Sequence, residues 1–91
     1  MDAEQIIYKC FEILKERGKR YDSDRERKMD KTISIYNQIS NRTLSVEDGY
    51  KLMISLKLAR MFQSEYYEDD YIDLINYVAL LAEYMSSKEN D

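Results

Sequence analysis

A chain of 91 residues with 44% hydrophobic residues, no proline, two glycines and a net charge of −4 lies near the smallest size at which one core sustains a fold, and it is too apolar for a disordered tail. Histidine is absent and cysteine occurs once, which removes Ser–His–Asp and Cys–His catalysis, a soft zinc site and an internal disulfide. No apolar run is long enough to span a bilayer, and no glycine-rich phosphate loop is present.

Without proline, and with glycine only at Gly18 and Gly49, the chain reads as long helices with short connections in a single domain over residues 1–91. Met1-Asp2-Ala3-Glu4 reads as the start of a polar helix rather than a signal peptide. Helix 1 is expected over about 3–17, with Ile6, Ile7, Cys10, Phe11 and Leu14 on one apolar stripe and Gly18 as its left-handed cap. Cys10 on that stripe reads as a small core hydrophobe, and a lone thiol suits a reducing cytoplasm.

Residues 18–23 form a polar connection. Helix 2 follows over about 24–39, highly charged at first, with Met29, Ile33, Tyr36 and Ile39 as its stripe. After a loop at 40–44, Ser45-Val46-Glu47-Asp48 is a capping box opening helix 3 over about 46–64. Tyr50, Met53, Leu56, Ala59 and Phe62 keep its period, with Lys57 close to the apolar face. Helix 4, over about 69–87, is apolar almost all round from Tyr71 to Tyr84, so each of its sides needs cover.

Pairing residues across the turn Glu65-Tyr66-Tyr67-Glu68 makes helices 3 and 4 an antiparallel hairpin. Arg60 then faces Asp69 and Asp70, Lys57 faces Asp73, and Met53 faces Tyr77. The expected fold is all-α, a four-helix bundle built on this hairpin. It is expected as a homo-oligomer, a dimer or higher, joined through helix 4 and part of helix 1 or 2. Asn76, interrupting the apolar run, reads as a residue that fixes register or oligomeric state.

Charge is segregated. Residues 15–31 hold eight of the fourteen Lys/Arg against five acids, whereas residues 65–91 hold eight acids against Lys88 alone. The acids mixed into the basic run favour a solvated helix over a nucleic-acid arm. Two readings compete for Lys57, Arg60, Asp69 and Asp73. They form either a polar pocket, in which cations take phosphate oxygens and carboxylates hold Mg²⁺ or a ribose hydroxyl, or two ion pairs that set the hairpin register. The ion-pair reading is favoured because each charge has a partner at the expected place. Tyr21, in a basic connection, is a candidate for stacking on a ligand base, and Glu65, Tyr66, Tyr67 and Glu68 for contact with a protein partner.

The hairpin sequences Ser45-Val46-Glu47-Asp48, Leu56-Lys57-Leu58-Ala59-Arg60, Asp69-Asp70-Tyr71-Ile72-Asp73-Leu74 and Tyr77-Val78-Ala79-Leu80 resemble a family of small all-helical phage and prophage proteins of unassigned function. The resemblance covers roughly residues 5–85. The family's upstream Tyr-Gly-Asp turn looks shifted to Tyr21-Asp22-Ser23. A more distant resemblance is to MazG-type nucleoside triphosphate pyrophosphohydrolases, whose paired acidic motifs hold magnesium. It implies Asp70 and Asp73 as metal ligands, but Lys51 stands where an acid of the first motif belongs. In the hairpin register Glu47 and Asp48 also lie at the far end from Asp70. The resemblance to phage proteins, with the small size, net acidity and segregated charge, motivates the expectation of a non-catalytic accessory protein in the cytoplasm of a bacterial host. It would antagonise host defence by binding a defence protein or by sequestering a nucleotide-type signal, without a cofactor. The alternative is a diverged Mg²⁺-dependent pyrophosphohydrolase, and the third reading a structural helical oligomer.

Overall fold

The computed structural model of the chain describes residues 1–21 and 29–89, and the side chains of all of these but 18–21 and 89. Among the described residues the chain is all-helical: α1 (Ala3–Tyr21), α2 (Met29–Ser40), α3 (Val46–Gln63) and α4 (Glu68–Glu89). None of these helices is long and apolar enough to cross a membrane.

Local chemistry sets the helix ends. Asp2 and Gln5 exchange side-chain-to-backbone bonds at 2.9 Å each, a box that starts α1. The expected box at the start of α3 is formed: Ser45 Oγ accepts from the Asp48 amide at 3.1 Å, and Asp48 Oδ2 accepts from the Ser45 amide at 3.0 Å. Asn41 adopts φ 58 just beyond α2, the left-handed residue that ends it. The loop that follows is clamped by Asn37, whose amide donates to the Leu44 carbonyl and whose oxygen accepts from the Leu44 amide, both at 2.9 Å. Glu68, Asp69 and Asp70 occupy the first turn of α4, where the positive helix end favours acids.

Those bonds hold the Asp48 carboxyl below the usual carboxylate range. A carboxyl depressed by folding stabilises above its unfolded pKa, and that contribution is lost as pH falls through the folded value. Acidification below the ordinary aspartate range should therefore fray α3 first at Ser45–Asp48. Asp48→Asn should remove this acid-dependent part, as read by amide exchange of these residues against pH. Equal protection at pH 3 and pH 6, each taken relative to the intrinsic exchange rate at that pH, would refute it.

Two boundaries differ from expectation. Gly18 does not cap α1, because the helix continues through it to Tyr21; a glycine inside a helix costs only about 1 kcal/mol relative to alanine, and its neighbours Lys19 and Arg20 are good helix formers. The expected start of helix 2 at 24 falls outside the described residues.

The helices form two layers. The α3/α4 hairpin is one layer; α1 packs on α4 and α2 packs on α3. The side chains of Met29, Ile33, Tyr50 and Leu80 are buried together, with Leu14, Met53, Tyr77 and Tyr84 packed around them. Met53 and Tyr77 thus meet the same core, as the hairpin pairing requires. Gly49 lets α2 approach α3 closely: a Cβ there would lie 2.5 Å from Met29 Sδ and 2.7 Å from Ile33 Cγ1.

Several residues expected in the core face outward. Ile7 and Phe11 of α1, Tyr36 and Ile39 of α2, and Leu56 and Phe62 of α3 are exposed. In each helix the period is right, but the covering layer is narrower than the stripe. On α1 only Cys10, Leu14 and their near neighbours reach the hairpin.

Candidate functional site

Asp73 lies where three helices meet. Projecting from α4, its carboxylate takes Lys57 Nζ of α3 at 3.0 Å and Arg17 of α1 at 3.5 Å. The Lys57 and Asp73 side chains are only 10% and 18% exposed, whereas that of Arg17 is 52% exposed. The expected pairing of Lys57 with Asp73 is present. Arg17 is a third member that sequence reasoning missed, because nothing local to α1 indicates that its end reaches this carboxylate.

One helical turn beyond Ile72, Asn76 is buried at 5% exposure. Its Nδ2 has no hydrogen-bond partner, a costly state for an enclosed amide donor. On α4, Ile72 and Asn76 share the side that faces α1. The Cys10 thiol reaches the Ile72 carbonyl at 4.0 Å, and burial pushes that thiol up from its ordinary pKa. Cys10 therefore sits as a protonated core group, as its place on the stripe implied.

At the hairpin turn the expectations divide. Arg60 is exposed and makes no ion pair among the described residues, so the expected pairing with Asp69 and Asp70 does not form. It projects from the side of α3 next to the α2-facing residues, away from those acids. Asp69 is exposed and holds the Tyr67 phenol up, first through their hydrogen bond and then through its charge. Asp70 is buried at 7% exposure. Glu65, Tyr66 and Tyr67 are exposed, with the Tyr66 ring 5.3 Å from that of Tyr71. Glu68 instead turns inward to pair with Lys9 of α1, and that carboxylate raises the Lys9 pKa. Tyr21 ends α1, and its side chain lies outside the described ones.

The acids of the other end are engaged locally. Glu47 pairs with Lys51 at 2.6 Å, one turn along α3, and Asp48 closes the capping box. Ten residues, about 15 Å of helix, separate Glu47 from Lys57 and hence from the Asp73 junction. No group of three or more His, Cys, Asp or Glu side chains among the described residues is placed to hold one metal ion. What the junction can do chemically is hold a buried cation in place, and offer an amide donor to an acceptor.

The class these features define is a small all-helical protein built on an ion-paired α3/α4 hairpin, with α1 packed on α4 and α2 on α3. Within that class the chain belongs to the family described as a domain of unknown function, DUF6378, which it matches over residues 5–85. No curated protein and no solved structure matches the chain.

Proposed function

We propose that the chain acts by binding, as a non-catalytic accessory protein of the phage or prophage kind that antagonises a host defence protein through its hairpin turn. The observation that carries this reading is the turn surface. Tyr66 and Tyr67 stand 66% and 58% exposed beside the exposed acids Glu65 and Asp69. Tyrosines with a polar tip and an apolar body, ringed by one sign of charge, suit a basic protein surface. The resemblance to phage proteins supplies the host-defence setting.

Capture from a bacterial lysate should recover a partner that Tyr67→Ala and Glu65→Lys each lose at least tenfold, because central aromatics and complementary charges carry most of an interface's energy. Retention should fall as salt rises. A partner retained equally by both variants would overturn this assignment of the surface. Incubation with Mg²⁺ and each nucleoside triphosphate should leave the nucleotides intact, and release of pyrophosphate would instead favour the MazG-like alternative. That alternative needs Glu47 and Asp48 freed from Lys51 and Ser45 and brought to Asp70 and Asp73.

A second binding mode, sequestration of a nucleotide-type signal, has one observation in its favour. The unpartnered Asn76 amide is buried next to a carboxylate that holds two cations. Phosphate oxygens could take Lys57 and Arg17 from Asp73, and Asn76 could donate to the ligand. Native mass spectrometry of gently purified protein would show a carried nucleotide mass, and a ligand-free spectrum would return the junction to a purely structural role.

A further inference from the structure

The end of the hairpin away from its turn holds a cavity of about 350 Å³, between the starts of α2 and α3 and the end of α4. It is lined by Asp30, Val46, Tyr50, Glu83, Tyr84 and Ser87, and its volume suits a small molecule. Ten residues, about 15 Å of helix, separate Glu83 from Asp73, so the cavity is distinct from the junction as well as from the turn surface. Tyr50 and Tyr84 meet there as a tilted pair, ring centroids 6.1 Å apart at 50°. Both charged side chains among the described lining residues are acids. Asp30 accepts from the Lys31 amide at 2.8 Å. Glu83 is exposed and makes no ion pair among the described residues.

We infer that this cavity takes a small organic cation, an alkylammonium ion with a short apolar body. Charge decides against an anion. Helix starts ordinarily favour one, but the start of α3 is closed by the Ser45–Asp48 box and carries Glu47 and Asp48 in its first turn. The start of α2 carries Asp30. From the other side α4 brings its C-terminal end, whose dipole favours a cation. The chain already places a cation on one of the walls. Lys88 Nζ, from the last turn of α4, lies 5.5 Å from the centroid of the Tyr84 ring, within the roughly 6 Å over which an aromatic face attracts an ammonium ion. Lys88 is thus an internal competitor for that ring. An incoming ammonium would lie against the tyrosine pair with Glu83 and Asp30 as counter-charges. The carboxylates and the Ser87 hydroxyl would accept its protons, and its alkyl body would pack on Val46.

Titration of n-butylammonium chloride into the isotope-labelled chain, followed by amide chemical shifts, should give saturable changes at Val46, Tyr50, Glu83, Tyr84, Ser87 and their neighbours. The neutral isostere n-butanol, and sodium chloride at matched ionic strength, should not reproduce them. Glu83→Gln should weaken binding about threefold, as loss of an exposed charge pair does, and Tyr84→Leu about fivefold. Tyr84 also packs on the core, so a loss there does not separate contact from fold. Lys88→Ala does. Lys88 is exposed, and its removal frees the ring and takes away a positive charge, so affinity should rise about twofold. A damaged fold does not produce such a gain. Absence of saturable shifts at these residues, equal shifts with n-butanol, saturation of the same amides by inorganic phosphate, or a Lys88→Ala variant that binds no more tightly than the wild type would each overturn the inference.

Discussion

Asp73→Asn should cost about 3 kcal/mol of stability, the low end for a buried ion pair stripped of one partner, because the amide still offers an acceptor. For a domain of this size that is a large fraction of the total. The loss is dominated by Lys57, whose side chain is 10% exposed and would be left without its counter-charge. Two companions separate this cause from others. Lys57→Met/Asp73→Asn should recover most of the loss, because an apolar side chain of similar length fills the site without the desolvation cost. Arg17→Ala should cost less than about 1 kcal/mol, since that side chain is half in water and its pair is screened. Chemical denaturation of the four proteins gives the comparison. If Asp73→Asn is as stable as the wild type, the junction does not hold the hairpin. If the double variant is as unstable as the single, an uncompensated lysine is not the reason.

The same junction shows what sequence can disclose. Ser45 and Asp48 were legible as a box because both partners lie within one turn. Lys57 opposite Asp73 followed from folding the chain back about a turn whose position the tyrosines and acids marked. Arg60, three residues further on, obeyed the same arithmetic and failed, because three residues fall short of a full turn and leave Arg60 about 60° round α3 from Lys57, on the side of Gly49 and Met53. The apolar stripes failed for a related reason. Period tells which residues of α1 share a side, but the width of the side that is covered depends on its neighbour, so Cys10 is buried and Phe11 is not. Arg17, which reaches Asp73 from a helix more than fifty residues away in sequence, left no local trace. Asn37 was equally silent, its clamp on Leu44 visible only once the loop is folded.

Gly49 was the least legible position of all, since a glycine within a helix reads as a weakness, and its substitution should be among the most damaging. Gly49→Ala sets two effects against each other. The helix gains about 1 kcal/mol from the better helix former, whereas overpacking a tight contact costs about 1–3 kcal/mol. The added methyl would meet Met29 Sδ at 2.5 Å and two atoms of Ile33 at 2.7 and 2.8 Å. Met29 can swing its thioether aside. Ile33 is buried at 6% exposure and branched at Cβ, so it moves only with α2. The steric cost should therefore win by a small margin for alanine. For Gly49→Val, whose two further methyls press on the same buried side chain, the net loss should be about 2–3 kcal/mol. At 4–8 °C per kcal/mol for a domain of this size, that is a fall in melting temperature of roughly 10–20 °C. The damage should be confined to the α2/α3 contact, so amides of α2 should exchange faster while those beside Cys10 and Ile72 keep their protection. Relief by the second change Ile33→Ala would identify the clash directly. A valine variant that melts with the wild type would mean that α2 does not press on α3 at this point, and the two-layer packing would have to be redrawn.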